Sequence, residues 1–181
     1  MTITVPKVIL THKDKIVFPK SRITKQQIYK YYENMANVML PYLKNRPLTM
    51  QRFPKGIGEA GFFQKHAPNY FPDWIPTVKT KKEGGWVNHI ICNSKEALLY
   101  LVNQYVLTFH MALSKVQKID YPDKLVFDLD PPKGNFQLAV KAAKALRHLL
   151  EEKLLLKAIV KSLCNDFRFG RLAYSSTYKS G

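Results

Sequence analysis

Residues 124–132, KLVFDLDPP, constrain this chain more than any other stretch. Leu125, Val126 and Phe127 form a short apolar run of strand-forming residues, which predicts a buried strand. Pro131 and Pro132 stop its ladder, because neither has an N–H to donate. Side chains alternate faces along a strand, so Asp128 and Asp130 share a face while Leu129 turns back toward a core. Their Cα atoms are then about 6.5–7 Å apart. Two carboxylates that close repel each other unless a cation joins them. A hard divalent ion, Mn²⁺ or Mg²⁺, takes oxygen ligands of this kind and keeps waters that a phosphate can displace. The plain alternative is a polar strand end whose aspartates are solvated or cap a following helix, and so short a spacing leaves both readings open.

Charge says what the chain meets. Its 181 residues make one domain or slightly more, with room for a sizeable core, yet 29 Lys and Arg face only 13 Asp and Glu, a net +16. Such a surplus repels itself without a polyanion, which points to nucleic acid ahead of an anionic membrane surface. No apolar run nears the ~20 residues of a membrane span. Residues 1–10 lack the basic start and long apolar run of a secretory signal. Cys92 and Cys164 fit no zinc or redox spacing, as expected of reduced thiols in a cytoplasmic protein.

Along the chain, residues 7–10 predict a short strand, followed by a basic loop. Thr24 with Gln27 forms a capping box that opens a helix, with Ile28, Tyr31, Tyr32, Met35 and Met39 as its core-facing stripe. Lys13, Lys15, Lys20, Arg22 and Lys25 gather at that helix start, where partial positive charge and free N–H donors would seat a phosphate; a solvated lysine loop is the bland alternative. Residues 48–53 predict a strand. Phe62 and Phe63 follow in a Gly/Pro-rich segment beside Gln64, Lys65 and His66. There one ring can anchor the loop while its neighbour stacks on a base. Tyr70, Phe71 and Trp74 read as packing residues. A hairpin is expected over 77–80 and 86–91, then a helix capped by Ser94 with Ala97, Leu98, Leu101, Val102 and Tyr105 on its apolar face, then a strand at 108–111 carrying His110, which spacing alone leaves as a structural residue. Asn135 caps a third helix to about residue 151, with Leu138, Ala142, Leu146, Leu149 and Leu150 inward, and 154–160 predict another strand.

With those residues in view, the chain resembles the polymerase domain of bacterial DNA ligase D, of the archaeo-eukaryotic primase superfamily. The resemblance lies in residues 11–19 (THKDKIVFP), 46–54 (RPLTMQRFP), 61–68 (GFFQKHAP) and 125–131 (LVFDLDP), in family order and spacing. It implies an α+β fold, a primase-polymerase-like core with a mostly antiparallel, RRM-like sheet, packed helices and the Asp128 strand central. It also implies a DNA-directed nucleotidyltransferase, a polymerase or primase, that adds nucleotides from nucleoside triphosphates in non-homologous end joining, with the end-binding protein Ku and a DNA ligase as partners in the bacterial cytoplasm, at the nucleoid. Asp128 and Asp130 would be the first two ligands of a two-metal site. Lys15 and Lys25 would hold the 5′-phosphate of a DNA end, Phe62 and Phe63 would stack against the template, and His110 would lie near the incoming nucleotide.

Three departures matter. Met111 and Ala112 replace the Pro-Trp that often follows the histidine. Lys161 and Ser162 start a nucleotide-pocket motif that residues 163–168 do not continue, and the later strand with a third metal aspartate is missing; nothing marks Asp166 as its replacement. Residues 1–161 thus read as the N-terminal part of a polymerase domain truncated at its C-terminal end, and 162–181 as a divergent tail without periodicity, as a disordered or foreign end would be. The expectation is DNA-end binding with impaired polymerisation. A degenerate module that only binds DNA ends is the main alternative. A haloacid-dehalogenase-like phosphatase, with Asp128 as nucleophile and Asp130 as general acid, is the lesser one.

Overall fold

A computed structural model describes residues 7–132, 135–165 and 169–177, with side chains through residue 159. The backbone forms two compact units, Met1–Gln117 and Lys118–Gly181.

In the first unit, β1 (Ile16–Phe18) and β2 (Ile23–Thr24) pair as a small antiparallel ribbon ahead of α1 (Lys25–Leu43). The capping box forms as expected: Thr24 Oγ1 accepts from the Gln27 N–H, and Gln27 Oε1 accepts from the Thr24 N–H at 2.8 Å. Next come β3 (Pro47–Arg52), β4 (Phe62–Gln64), β5 (Thr77–Lys82), β6 (Gly85–Ile91), α2 (Lys95–Asn103) and β7 (Val106–Met111). All five strands from β3 to β7 lie in one antiparallel sheet. Within it β3 pairs with β7 along one edge and with β6 and then β4 along the other. A tight turn closes the β5–β6 hairpin, with Gly84 at φ +73°, which a side chain would resist.

Alternation decides what β3 shows to each side. Leu48 and Met50 are fully buried and join Ala36 and Leu43 of α1, Ile90 of β6, and Leu98 and Leu101 of α2 in the main core. Burial of a side chain of that size is worth roughly 1.5–3 kcal/mol, so this interface holds the sheet and both helices in one register. Thr49 and Gln51 point the other way. Ser94 caps α2 as predicted, its Oγ accepting from the Ala97 N–H at 3.1 Å.

The second unit has β8 (Lys124–Leu129), α3 (Phe136–His148), a π-turn at Leu149–Lys153, β9 (Lys157–Asn165) and β10 (Phe169–Thr177). The strands run in the order β8–β10–β9, both pairings antiparallel. Phe127 and Leu129 pack toward α3 and the turn after it, on Ala139, Ala143 and Leu150.

Several expectations need correction. No strand forms over residues 7–10; this segment is held by a side chain instead, with Asn103 donating to the Ile9 carbonyl at 3.0 Å. Tyr31 is 58% exposed rather than in the core. Asn135 precedes α3 without a side-chain capping bond. The inward stripe of α3 is Ala139, Ala143, Leu146 and Leu150, while Leu138 and Leu149 are largely exposed and Ala142 faces out. Ala139 and Ala143 on the inner face of α3 pack with Phe127 and Leu129 of β8. Strand β8 lies at an edge of its three-stranded sheet, not at the centre. Residues 169–177, where the sequence shows no period, pair along the whole of β9 as β10. Asp166 falls outside the described residues.

Candidate nucleic-acid interface and metal-ligand pair

The basic loop before β1 folds back over the start of α1. The Lys25 N–H donates to the Lys15 carbonyl at 2.8 Å and the Gln26 N–H to the Lys13 carbonyl at 2.9 Å, while the Gln27 N–H is taken by Thr24. The expectation of free helix N–H donors for a phosphate is therefore overturned: the loop's own carbonyls use them. What converges instead is a pair of ammonium groups. Lys25, 1% exposed, donates through Nζ to the Thr11 carbonyl at 2.9 Å and to Thr11 Oγ1 at 3.2 Å. Lys15 donates to the Pro54 carbonyl at 2.7 Å. Both Nζ atoms lie over the ring of Tyr105, at 4.2 Å for Lys25 and 5.1 Å for Lys15. Burial, and then the charge of Lys15, lowers the Lys25 pKa to about 8. Lys13, Lys20 and Arg22 stay in solvent.

Tyr105, expected on the apolar face of the second helix, lies instead in the turn between α2 and β7, and its neighbours Asn103 and Gln104 escaped the sequence reading. Its φ of +63° is unusual for an aromatic residue. The turn is tied on three sides: Asn103 Oδ1 accepts from the Thr11 N–H and hydroxyl, both at 3.1 Å, the Gln104 carbonyl accepts from Arg52 Nε at 2.9 Å, and the Tyr105 carbonyl accepts from the Phe53 N–H at 2.9 Å. Arg52 is buried, and its fork also reaches Gln64 Oε1 at 2.7 Å and the Tyr70 hydroxyl at 2.8 Å. A buried guanidinium on neutral acceptors could have been suspected from Arg52 sitting at a core-phase position of β3.

The two phenylalanines part company. Phe62 pairs with Arg52 on β3 and Phe63 with Gln51, so their side chains leave opposite faces of the sheet. Phe62 lies beneath the Arg52 guanidinium, 5.6 Å from Cζ to ring centre. Phe63, 61% exposed, shares its face with Gln51, Thr108 and His110, and its ring meets that of His110 edge-on at 5.3 Å. The start of β4 is fixed by Gly61, where a Cβ would stand 2.5 Å from the Phe53 ring. Phe63 and His110 thus form one exposed aromatic face beside the polar side of β3, an arrangement suited to stacking on a base.

In the second unit the buried strand expected over Leu125, Val126 and Phe127 is not found: Leu125 and Val126 of β8 are 43% and 46% exposed, as its place at the end of the strand order allows. Phe127 and Leu129 pack toward the core, whereas Asp128 and Asp130, the latter just past the end of the strand, are both exposed. Among the described residues no group of three His, Cys, Asp or Glu side chains gathers as a metal cage. Two exposed carboxylates two residues apart still suit Mg²⁺ or Mn²⁺, which binds through one or two carboxylates and completes its shell with water and substrate phosphate. No helix among the described residues is long and apolar enough to cross a membrane.

Residues 24–162 match the family described as LigD, primase-polymerase domain. The chain is 39% identical over 147 residues to the bifunctional non-homologous end joining protein LigD of Bacillus subtilis (strain 168), an overlap of 81% of this chain and 23% of that protein. It is 32% identical over 130 residues to the multifunctional non-homologous end joining protein LigD of Mycolicibacterium smegmatis, covering 71% of this chain and 17% of that one. Its fold is similar to the polymerase domain of Mycobacterium tuberculosis ligase D in complex with DNA, with a TM-score of 0.81 at 28% identity over 96% of this chain and 62% of that one. The chain therefore spans less than a quarter of these relatives' full length, and less than two thirds of the solved domain.

Proposed function

We propose, because the chain belongs to the LigD primase-polymerase domain family, that it is a DNA-end-binding nucleotidyltransferase unit of non-homologous end joining. It would work in the cytoplasm beside Ku and a ligase activity. The observation that supports this reading is the exposure of both Asp128 and Asp130 at the end of β8, two residues apart, while Phe127 and Leu129 pack on the core. In this reading the two carboxylates hold Mn²⁺ or Mg²⁺. The bound ion would supply the charge that makes a primer 3′-hydroxyl nucleophilic and steadies a triphosphate.

The chain's own residues do the positioning. Lys15 and Lys25 offer two cations to a terminal 5′-phosphate, Phe63 and His110 give a template base and the incoming nucleotide an aromatic face, and Phe62 braces the Arg52 corner behind them. Sequence would be read by pairing with the template, since lysine contacts to phosphate carry no base information. The separation of roles gives the test. With Mn²⁺ present, nucleoside triphosphate binding is expected, and Asp128→Ala abolishes it while leaving affinity for 5′-phosphorylated DNA unchanged. Nucleotide binding that ignores both Mn²⁺ and Asp128 overturns the reading.

One observation favours a second reading. Because no third metal-binding side chain joins the pair among the described residues, this chain alone would bind ends and extend primers poorly. Primer extension with Mn²⁺ at the rate of a full-length relative would refute that weaker-catalyst reading, and complete absence of nucleotide binding would leave a DNA-end-binding module.

A further inference from the structure

We propose that Tyr105 is a positioning residue for the phosphate-binding cations, its ring serving as the floor on which the Lys15 and Lys25 ammonium groups are held toward the 5′-phosphate of a DNA end. This rests on the reading of the two lysines given above and adds to it a residue outside the motifs that revealed the family.

The geometry gives the ring this place. Two like charges sit over one aromatic face, at 4.2 and 5.1 Å, where the negative face of the ring attracts a cation. Their remaining partners are neutral: Thr11 for Lys25, and the Pro54 carbonyl for Lys15. Among the described residues neither lysine makes an ion pair. Such a pair carries charge that its surroundings leave uncompensated. The ring offsets part of it without occupying the space where an anion would bind, as a carboxylate would. Backbone donors do not share the task, since the first N–H groups of α1 are bonded to the loop and the Thr24 cap. The turn is also built to hold the ring still. Tyr105 takes a left-handed φ of +63°, its carbonyl is fixed by Phe53, and its neighbours Asn103 and Gln104 are fixed to Thr11 and Arg52. Thr11, which Asn103 orients, is the same residue that receives Lys25. One short turn therefore sets both the ring and the acceptor that aim the buried lysine.

The test compares duplexes with a recessed 5′-phosphate and a recessed 5′-hydroxyl, bound to the full chain. The wild type is expected to prefer the phosphate, and Lys25→Met to lose that preference; equal binding of both ends by the wild type sinks the lysine reading itself. Given the preference, Tyr105→Phe should keep it, because the ring face remains. Pentafluorophenylalanine placed at 105, with the same shape and a reversed ring charge, should cut it about tenfold. Thermal unfolding should change little between those two, since both fill the same space. A preference untouched by the fluorinated ring, with Lys25→Met still losing it, overturns the role of Tyr105 alone. Should Tyr105→Phe already lose the preference, the hydroxyl rather than the ring is responsible, and the proposal likewise falls.

Discussion

At the residue scale, the buried cations are the informative positions. Lys25 is held at a pKa of about 8, from an ordinary 10.5, by burial first and by Lys15 second. In the unfolded chain it returns to its ordinary value. Between these two values the unfolded chain keeps a proton that the folded one has released, so this group makes stability rise with pH across that window. Lys25→Met should flatten the rise, as urea midpoints measured on either side of it will show. Phosphate-end affinity should move the opposite way, weakening as pH climbs through about 8, because only the ammonium form attracts the anion. Arg52 poses a different problem, with a fork satisfied by Gln104, Gln64 and Tyr70 in a space that exposes 8% of the residue. Arg52→Lys cannot reproduce that planar fork, and a loss of about 2–3 kcal/mol is expected in denaturant titrations. The sequence showed Lys15 and Lys25 as a cluster, because like residues near a helix start are visible in a string. Tyr105 and Asn103 lie some 80 residues away from them in the chain, a pairing that only the fold supplies.

At the scale of elements, local chemistry was the most legible. The Thr24–Gln27 box and the Ser94 cap act over three residues, so the string contains the whole interaction. Thr24→Ala should cost about 1 kcal/mol of stability, read as a lower denaturation midpoint with an unchanged slope. The exposure of Asp128 between the half-buried Phe127 and Leu129 was equally readable, since a two-residue period sets it. The phase of α3 was not. Leucines drew the expected stripe to 138 and 149, whereas the packing distance to the sheet favoured the alanines next to them. For β4, where both phenylalanines are exposed, the string could not say which of them shares a face with His110, because pairing with β3 decides it. Phe63→Ala is expected to weaken binding of a single-stranded overhang by about 1–3 kcal/mol. Phe62→Ala should instead lower thermal stability through the Arg52 corner; equal losses of overhang affinity would contradict the assignment.

At the scale of the whole molecule, charge speaks first. A net +16 on 181 residues makes any DNA complex strongly salt-dependent. If four or more phosphates are neutralised, affinity should fall about a hundredfold or more between 50 and 200 mM salt, as fluorescence anisotropy across a salt series will report. A flat response would mean that few lysines touch the backbone. The expectation of a polyanionic partner was legible from composition alone. The two compact units, each with its own sheet, were not, because where a chain divides depends on which strands find each other.

Strand β3 leaves one more consequence. With neighbours bonded along both its edges, it has no freedom to slide, and a single amino acid inserted after Leu48 would turn everything beyond it over by half a revolution. Met50 would emerge into water and Gln51 would enter the oil, while a similar insertion beside Gly84 would merely lengthen a bend. Tolerance to length change should therefore drop sharply across this ribbon, and a library of in-frame insertions would map it as a silent band.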